Sequence, residues 1–284
     1  MLVSTSPDSQ GNHLIILSET GVRCRPARIM KSMVKAGIPR ERMRLVAQSI
    51  KFPTAETMFD FVNQKYNEYL VNDGAKIEDF DPWLTSTMAI PPMAGGAGRR
   101  RALAKAIYAL NYYQLGIVRG AINTFKEQAL SSIVTPTVVL FYGLGGGTGS
   151  GIFFDFARHL RKVLGTSVPI IAFVISPCGG DDPPAKGCSA FTAMNELSLL
   201  LNKDYNEYVT KTFGDCYRNP LNAMIYLPLL PAYSKEHHEG SVSRRKGLTL
   251  LKYHTYTLLR FSSVCFRCKP AKFIFDNFPV CVHG

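Results

Sequence analysis

No run of about eighteen or more apolar residues occurs anywhere in the chain, which excludes a membrane-spanning helix of the ordinary kind. The N-terminal stretch "MLVSTSPDSQGNH" lacks both the basic start and the apolar core of a secretory signal, so the protein is expected in the cytoplasm. A disulfide framework is missing too: the seven cysteines, at 24, 178, 188, 216, 265, 268 and 281, are odd in number and irregularly spaced, and free thiols are expected. There are no internal repeats. Acidic residues are scarce near the C-terminus, where residues 235–284 hold nine Lys or Arg against three Asp or Glu. Half of the formal net charge of +12 therefore lies in the last fifty residues. That segment has no aromatic–basic repeat on which bases would stack, and it reads as a solvated tail, not a nucleic-acid surface.

What the chain does have is a globular composition, 46% hydrophobic and 19% charged over 284 residues, enough for one large domain or two small ones. "NHLIIL" (12–17) reads as a short buried strand. "ARIMKSMVKAG" (27–37) reads as a helix with Ile29, Met30, Met33 and Val34 on one face, and "MRLVAQ" (43–48) as a second strand. This strand–loop–helix–strand order suits a parallel α/β unit. Residues 54–74 form an amphipathic helix with Met58, Phe61, Val62, Tyr66 and Tyr69 at core spacing. A Pro- and Gly-rich loop (81–98) leads into some thirty helical residues, broken near Gly116 or Gly120. "PTVVLFYGL" (136–144), "VPIIAFVISP" (168–177) and "NAMIYLPLLP" (222–231) are further strands. Apolar runs without alternation fit strands covered on both faces, as in parallel sheets. Residues 150–165 and 189–214 read as helices. After about Lys235 helical periodicity disappears.

The most informative stretch is "TVVLFYGLGGGTGSG" (137–151), a strand running into a glycine-rich loop that opens a helix. Glycine lets a ligand approach the backbone closely, and a helix start presents unbonded N–H groups together with the positive end of the helix dipole. The arrangement suits a nucleotide phosphate at the carboxyl ends of the strands. It is not a Walker loop, because no lysine follows the glycines. A Rossmann fingerprint for NAD is the weaker fit, because the next strand, "VPIIAFVIS", carries no acid.

The heptapeptide Gly145-Gly146-Gly147-Thr148-Gly149-Ser150-Gly151 resembles the signature loop of the tubulin/FtsZ superfamily, GGGTG[ST]G, at every position. The resemblance implies a Rossmann-like parallel sheet with helices on both faces, binding GTP or GDP, with Mg²⁺ bridging the phosphates. Thr148 and Ser150 would add hydroxyl donors to the backbone N–H groups. "AGGAGRRRALAKA" (94–106) resembles the family's loop near the terminal phosphate: Gly96, Ala97 and Gly98 would approach the γ-phosphate, and Arg99 or Arg100 would add charge. The loop "CGGDDPP" corresponds to the ribose side, where Asp181 or Asp182 would accept a ribose hydroxyl. The implied protein is a cytoskeletal GTP-binding protein that assembles head to tail with copies of itself or with other tubulin-like subunits. The alternative is a non-polymerising regulatory or scaffolding relative with a degenerate pocket.

The resemblance covers roughly residues 12–234, and the sequence departs from the family in three places. The first phosphate loop is replaced by "SETGVRCRPAR", with only Gly21 and with Arg23 and Arg25 as compensating charge. The base-binding asparagine is absent after the last strand, leaving Asn195 on the preceding helix as the candidate substitute. The resemblance implies a GTPase, but no segment after Lys235 matches the family's central helix or the acid that completes a neighbouring subunit's site, so weak or absent GTP hydrolysis and impaired polymerisation are expected for this chain. Residues 1–234 are thus expected to form the GTP-binding domain, and 235–284 a divergent or truncated, irregular tail. Within that tail Cys265, Cys268, Cys281 and His283 form a weak candidate zinc set.

Overall fold

The computed structural model describes residues 2–5, 12–19, 34, 43–76, 83–85, 87–88, 90, 97, 100–131, 135–177 and 185–227. Its centre is a six-stranded sheet of β1 (Leu2–Thr5), β2 (Asn12–Glu19), β3 (Met43–Ile50), β4 (Thr137–Gly143), β5 (Ile170–Ile175) and β6 (Ala223–Leu227). The strand order is β3-β2-β1-β4-β5-β6. The pairs β2–β3, β4–β5 and β5–β6 are parallel, as the apolar runs predict. Residues 138–142 of β4 are all buried, on both faces of the strand, so helices must cover the sheet from both sides at that point.

One strand was not anticipated. Residues 2–5 sit in the middle of the sheet, antiparallel to both β2 and β4. Only six residues separate Thr5 from Asn12, too few for the crossover that a parallel neighbour needs, so the chain can only turn back on itself. The sequence reading had treated this stretch only as a terminus without a signal.

The helices follow the expected segments with three differences. The helix expected over 54–74 is α1 (Ala55–Asp60) and α2 (Tyr66–Asn72), joined by a π turn over Phe61–Lys65. Met58, Phe61, Val62 and Tyr66 are buried as expected, and Tyr69 packs against them. Thr54 caps α1, its hydroxyl accepting from Thr57 N at 3.2 Å. The long helical segment after residue 100 is α3 (Arg101–Ala109), a π turn (Leu110–Gln114) and α4 (Ile117–Ala129). The break falls at Gly116, whose φ of 68° is left-handed, while Gly120 lies inside α4. Helix α5 (Gly147–Leu164) begins inside the glycine loop. The single helix expected over 189–214 is instead a π turn (Ala185–Phe191), α6 (Thr192–Leu201) and α7 (Lys203–Phe213). Asn202 separates the last two: its backbone is extended, and its side chain accepts from Tyr205 N at 3.1 Å as the cap of α7.

A single apolar core joins the sheet to α1–α6, with Phe61, Tyr66, Phe125 and Leu103 among its largest fully buried side chains. Each such side chain stabilises the fold by about 1.5–3 kcal/mol through burial alone. Of the helix expected at 27–37, only Val34 is described; it is helical and exposed. Gly21, Arg23, Arg25 and the tail with Cys265, Cys268, Cys281 and His283 lie outside the described residues. Among the described residues no helix is long and apolar enough to cross a membrane.

Candidate functional site

Strand β4 delivers the glycine loop to α5, and the loop's glycines serve different ends. A methyl group on Gly149 would lie 2.3 Å from the carbonyl oxygen of Gly143, the last residue of β4. A methyl on Gly151 would lie 2.7 Å from the carbonyl oxygen of Arg101, the first residue of α3. Both glycines are therefore demanded by backbone-to-backbone packing of α5 against its neighbours. Gly146 is different. Its φ of −105° suits any residue, and among the described residues a methyl there would meet nothing within 4 Å. Neither strain nor packing against the described residues calls for a glycine at that position.

Gly146 is also the N-cap of α5. The first bond inside the helix runs from Ser150 N to Gly146 O, at 3.2 Å. The N–H groups of Gly147, Thr148 and Gly149 come before it and have no carbonyl within the helix to bond. The first turn of α5 carries no acidic residue and its cap makes no side-chain bond, so the helix itself supplies no negative charge to the dipole's positive end. This cradle fits an anion. Leu144 N, bonded to Ile175 O at 2.9 Å, ties the approach to the loop onto β5.

The loop is braced from the side. Arg101 donates through Nε and Nη2 to Ser150 O, at 3.2 and 2.9 Å, and Nη2 also donates to Glu196 of α6. Helices α3 and α6 thus converge on the first turn of α5.

A family model described as "Tubulin like" matches residues 31–227, more than half of the chain. The chain belongs to the tubulin-like family. Among solved structures, it is similar to TubZ of Bacillus thuringiensis serovar israelensis in a GTPγS-form protofilament. The identity is 14% and the TM-score 0.41, with 87% of this chain and 54% of the TubZ chain covered. The chain therefore spans about half the length of that TubZ, and family membership rests on the family model alone. None of the curated proteins matches.

For this tubulin-like chain, the expected site residues are brought together unevenly. Gly145 to Gly151 form the strand–helix junction as a unit, with Thr148 half-buried on the first turn. The Ser150 hydroxyl is fully buried and donates back to Gly146 O at 2.5 Å, so in this conformation it serves the helix rather than a ligand. Ala97 is buried in the core, and its carbonyl accepts from Arg100 N at 2.9 Å, turning the chain into α3. Its methyl group faces the core. Gly96, Gly98, Arg99, Asp181 and Asp182 lie outside the described residues. Asn195 is exposed on α6, and it is its neighbour Glu196 that reaches Arg101.

Sequence reasoning missed a buried polar cluster at the far end of the same helix. Asp73, just after α2, accepts from Tyr113, from Arg158 Nη1 at 2.8 Å and from Lys162 Nζ at 2.5 Å. Arg158 also donates from Nε to Asp155 at 2.9 Å and from Nη2 to the Tyr113 hydroxyl at 2.6 Å. Because the Tyr113 hydroxyl gives its proton to Asp73, it can only accept from His159 Nε2, 3.1 Å away. That puts the imidazole proton on Nε2 and leaves Nδ1 to accept from Tyr108 at 2.8 Å. The His159 ring stacks on Tyr112 with centroids 3.5 Å apart. Burial opposes ionisation of Asp73, but bonds from His159, Lys162, Tyr113 and Arg158 outweigh it and hold the carboxyl well below the usual range. Burial likewise pushes the His159 pKa down, to about 4, so the ring is neutral at pH 7. The signal was present in the sequence, as polar residues at 155, 158, 159 and 162 share one helical face.

Proposed function

We propose that this chain is the nucleotide-binding unit of a tubulin-like cytoskeletal protein, with the phosphates of GTP or GDP on the Gly145–Gly149 backbone. The observation that carries this reading is the junction of β4 and α5, where Gly146 has an ordinary φ and no described residue against its Cβ position, beside three N–H groups without helical acceptors. Membership of the tubulin-like family supports GTP as the nucleotide. Mg²⁺ would enter as the counter-ion of the phosphates, neutralising charge that α5 alone does not balance. Assembly would be head to tail, with copies of the chain or other tubulin-like subunits, in the cytoplasm. Contacts of that kind do not close and so give filaments.

Gly146→Asp tests the reading. Aspartate is a better helix N-cap than most residues, so the variant should fold at least as well as the parent. Its carboxylate would compete for the same N–H groups and repel a phosphate. A like charge at about 4 Å costs about 4 kcal/mol at an effective dielectric near 20, which predicts at least about a hundredfold weaker binding. Titration with a fluorescent N-methylanthraniloyl derivative of GTP would measure it. Parent protein that does not bind GTP, or a variant that binds as tightly as the parent, would overturn the proposal.

A further inference from the structure

A cavity of about 440 Å³ lies between α3, α5, α6 and α7, away from the open side of the phosphate loop. It shares Gly151, Arg101 and Glu196 with the loop and its brace. Its size is that of a small-molecule site. Aromatic rings supply much of the wall, among them Trp83, Phe153, Phe154 and Tyr217, with Phe154 and Tyr217 lying parallel at 6.2 Å.

The charges in the wall are already matched in sign. Arg101 is paired with Glu196, and Asp155, buried, accepts from Arg158 and faces Lys105. Each lining cation among the described residues thus stands beside a lining carboxylate, so the cavity offers no net field to a charged ligand. Lys105 is the adaptable group. Its Nζ is 4.0 Å from Asp155, beyond hydrogen-bond distance, and 5.1 Å from the centre of the Trp83 ring. The ammonium therefore has donors to give to an acceptor that enters the cavity beside Trp83.

We infer that this cavity binds a neutral, planar, largely aromatic small molecule carrying one hydrogen-bond acceptor. Its rings pack among Trp83, Phe154 and Tyr217, and its acceptor meets Lys105 Nζ. A charged ligand is disfavoured, because it would have to displace an existing ion pair to find its counter-charge. The site stands independently of nucleotide binding.

Trp83 is the chain's single tryptophan, so occupancy reports itself. The probe is prodan, a neutral naphthalene with one ketone acceptor and absorption that overlaps tryptophan emission. Added to the full chain, it should quench Trp83 and gain transferred emission saturably at one site, with a Kd of roughly tens of micromolar for a ligand of that size. Lys105→Met keeps the volume and removes the donor, and should weaken binding about tenfold. Leu199→Arg alters an exposed lining residue on α6 that the fold does not depend on, and by charging the apolar mouth should also weaken binding about tenfold or more. Circular dichroism checks that both variants fold. Absence of saturable transfer from Trp83 overturns the inference. So does equal affinity in folded Lys105→Met, which would mean apolar adsorption only, or equal affinity in Leu199→Arg, which would place the dye elsewhere.

Discussion

Gly149→Ala is the sharpest test of how the glycine loop is built. The added methyl would lie 2.3 Å from Gly143 O, 3.1 Å from Gly143 N and 3.3 Å from its carbonyl carbon. Ordinary contact begins at 3.4 Å, so the first turn of α5 and the end of β4 would have to part by about 1.1 Å. All three obstacles are backbone, so no side chain can rotate to make room. The end of β4 is itself held to β5 by the Leu144 N to Ile175 O bond, and α5 is held to α3 by Arg101. Overpacking in cores costs about 1–3 kcal/mol when side chains can adjust. A backbone-only clash belongs at the upper end or above, roughly 3–4 kcal/mol, from which alanine's better helix propensity subtracts about 1. The expected net loss is about 2–3 kcal/mol.

Urea unfolding followed by Trp83 fluorescence measures this directly. With a slope of about 2–3 kcal/mol per molar, the midpoint of Gly149→Ala should fall by about 1 M. Gly146→Ala is the matched control on the same loop: φ is ordinary and the space is open, so only a fraction of the capping preference is lost, within about 1 kcal/mol. A Gly149→Ala midpoint indistinguishable from the parent's, or a Gly146→Ala variant that falls as far, would refute the distinction between Gly149, required by packing, and Gly146, which is not.

Two further expectations concern stability. His159 is buried neutral with its pKa near 4, against about 6.5 when unfolded, so between those values the unfolded chain binds more protons and stability must fall as pH drops. The His159 part of the loss is about 3 kcal/mol from pH 6.5 to 4, to which the depressed Asp73 and Asp155 carboxyls add only below about pH 5, as the unfolded chain's carboxyls protonate, and His159→Gln should flatten a urea-midpoint profile above pH 5. Two glycines at α4 should respond with opposite sign: Gly116→Ala, at the helix's N-cap, forces a methyl-bearing residue into φ 68° and should cost about 1–2 kcal/mol, whereas Gly120→Ala, inside the helix with no described residue against its Cβ position, should gain about 0.5–1 kcal/mol; paired thermal melts decide.

Much of the architecture was legible because the decisive signals were local. The run of residues 136–144 without alternation specified a strand covered on both faces, and the glycine loop after it placed a helix start there, which the structure puts at Gly147, three residues before the expected 150. Core positions 58, 61, 62 and 66 followed from helical spacing alone. What escaped reading depended on partners far along the chain. Whether residues 2–5 are strand or terminus is decided by the vacancy between β2 and β4, and four residues cannot announce that. The division at Asn202 depends on a cap that competes with helix continuation, where a sequence of good helix formers such as Leu199, Leu200 and Leu201 argues for continuity. The Ser150 hydroxyl was expected to face a ligand, and instead closes on Gly146 because its side chain lies on the buried side of α5.

The buried cluster around Asp73 bears on why such a loop can be held at all. Isolated, a glycine-rich helix start is a poor nucleus: Gly147, Gly149 and Gly151 each cost about 1 kcal/mol relative to alanine. The stabilisation must come from the rest of α5. Its far half supplies Asp155, Arg158, His159 and Lys162, which together reach α2 through Asp73 and the α3–π segment through Tyr108 and Tyr113. Apolar packing alone would allow the helix to slide or turn about its axis at small cost, because dispersion contacts are numerous and non-directional. Hydrogen bonds to one buried carboxylate are directional, and losing one strands a charge away from water. Arg101 performs the same service at the near end, where it meets the backbone of Ser150. Helix α5 is thus fixed in rotation and translation at both ends, which is what allows its first turn to present bare glycine backbone without collapsing onto β4.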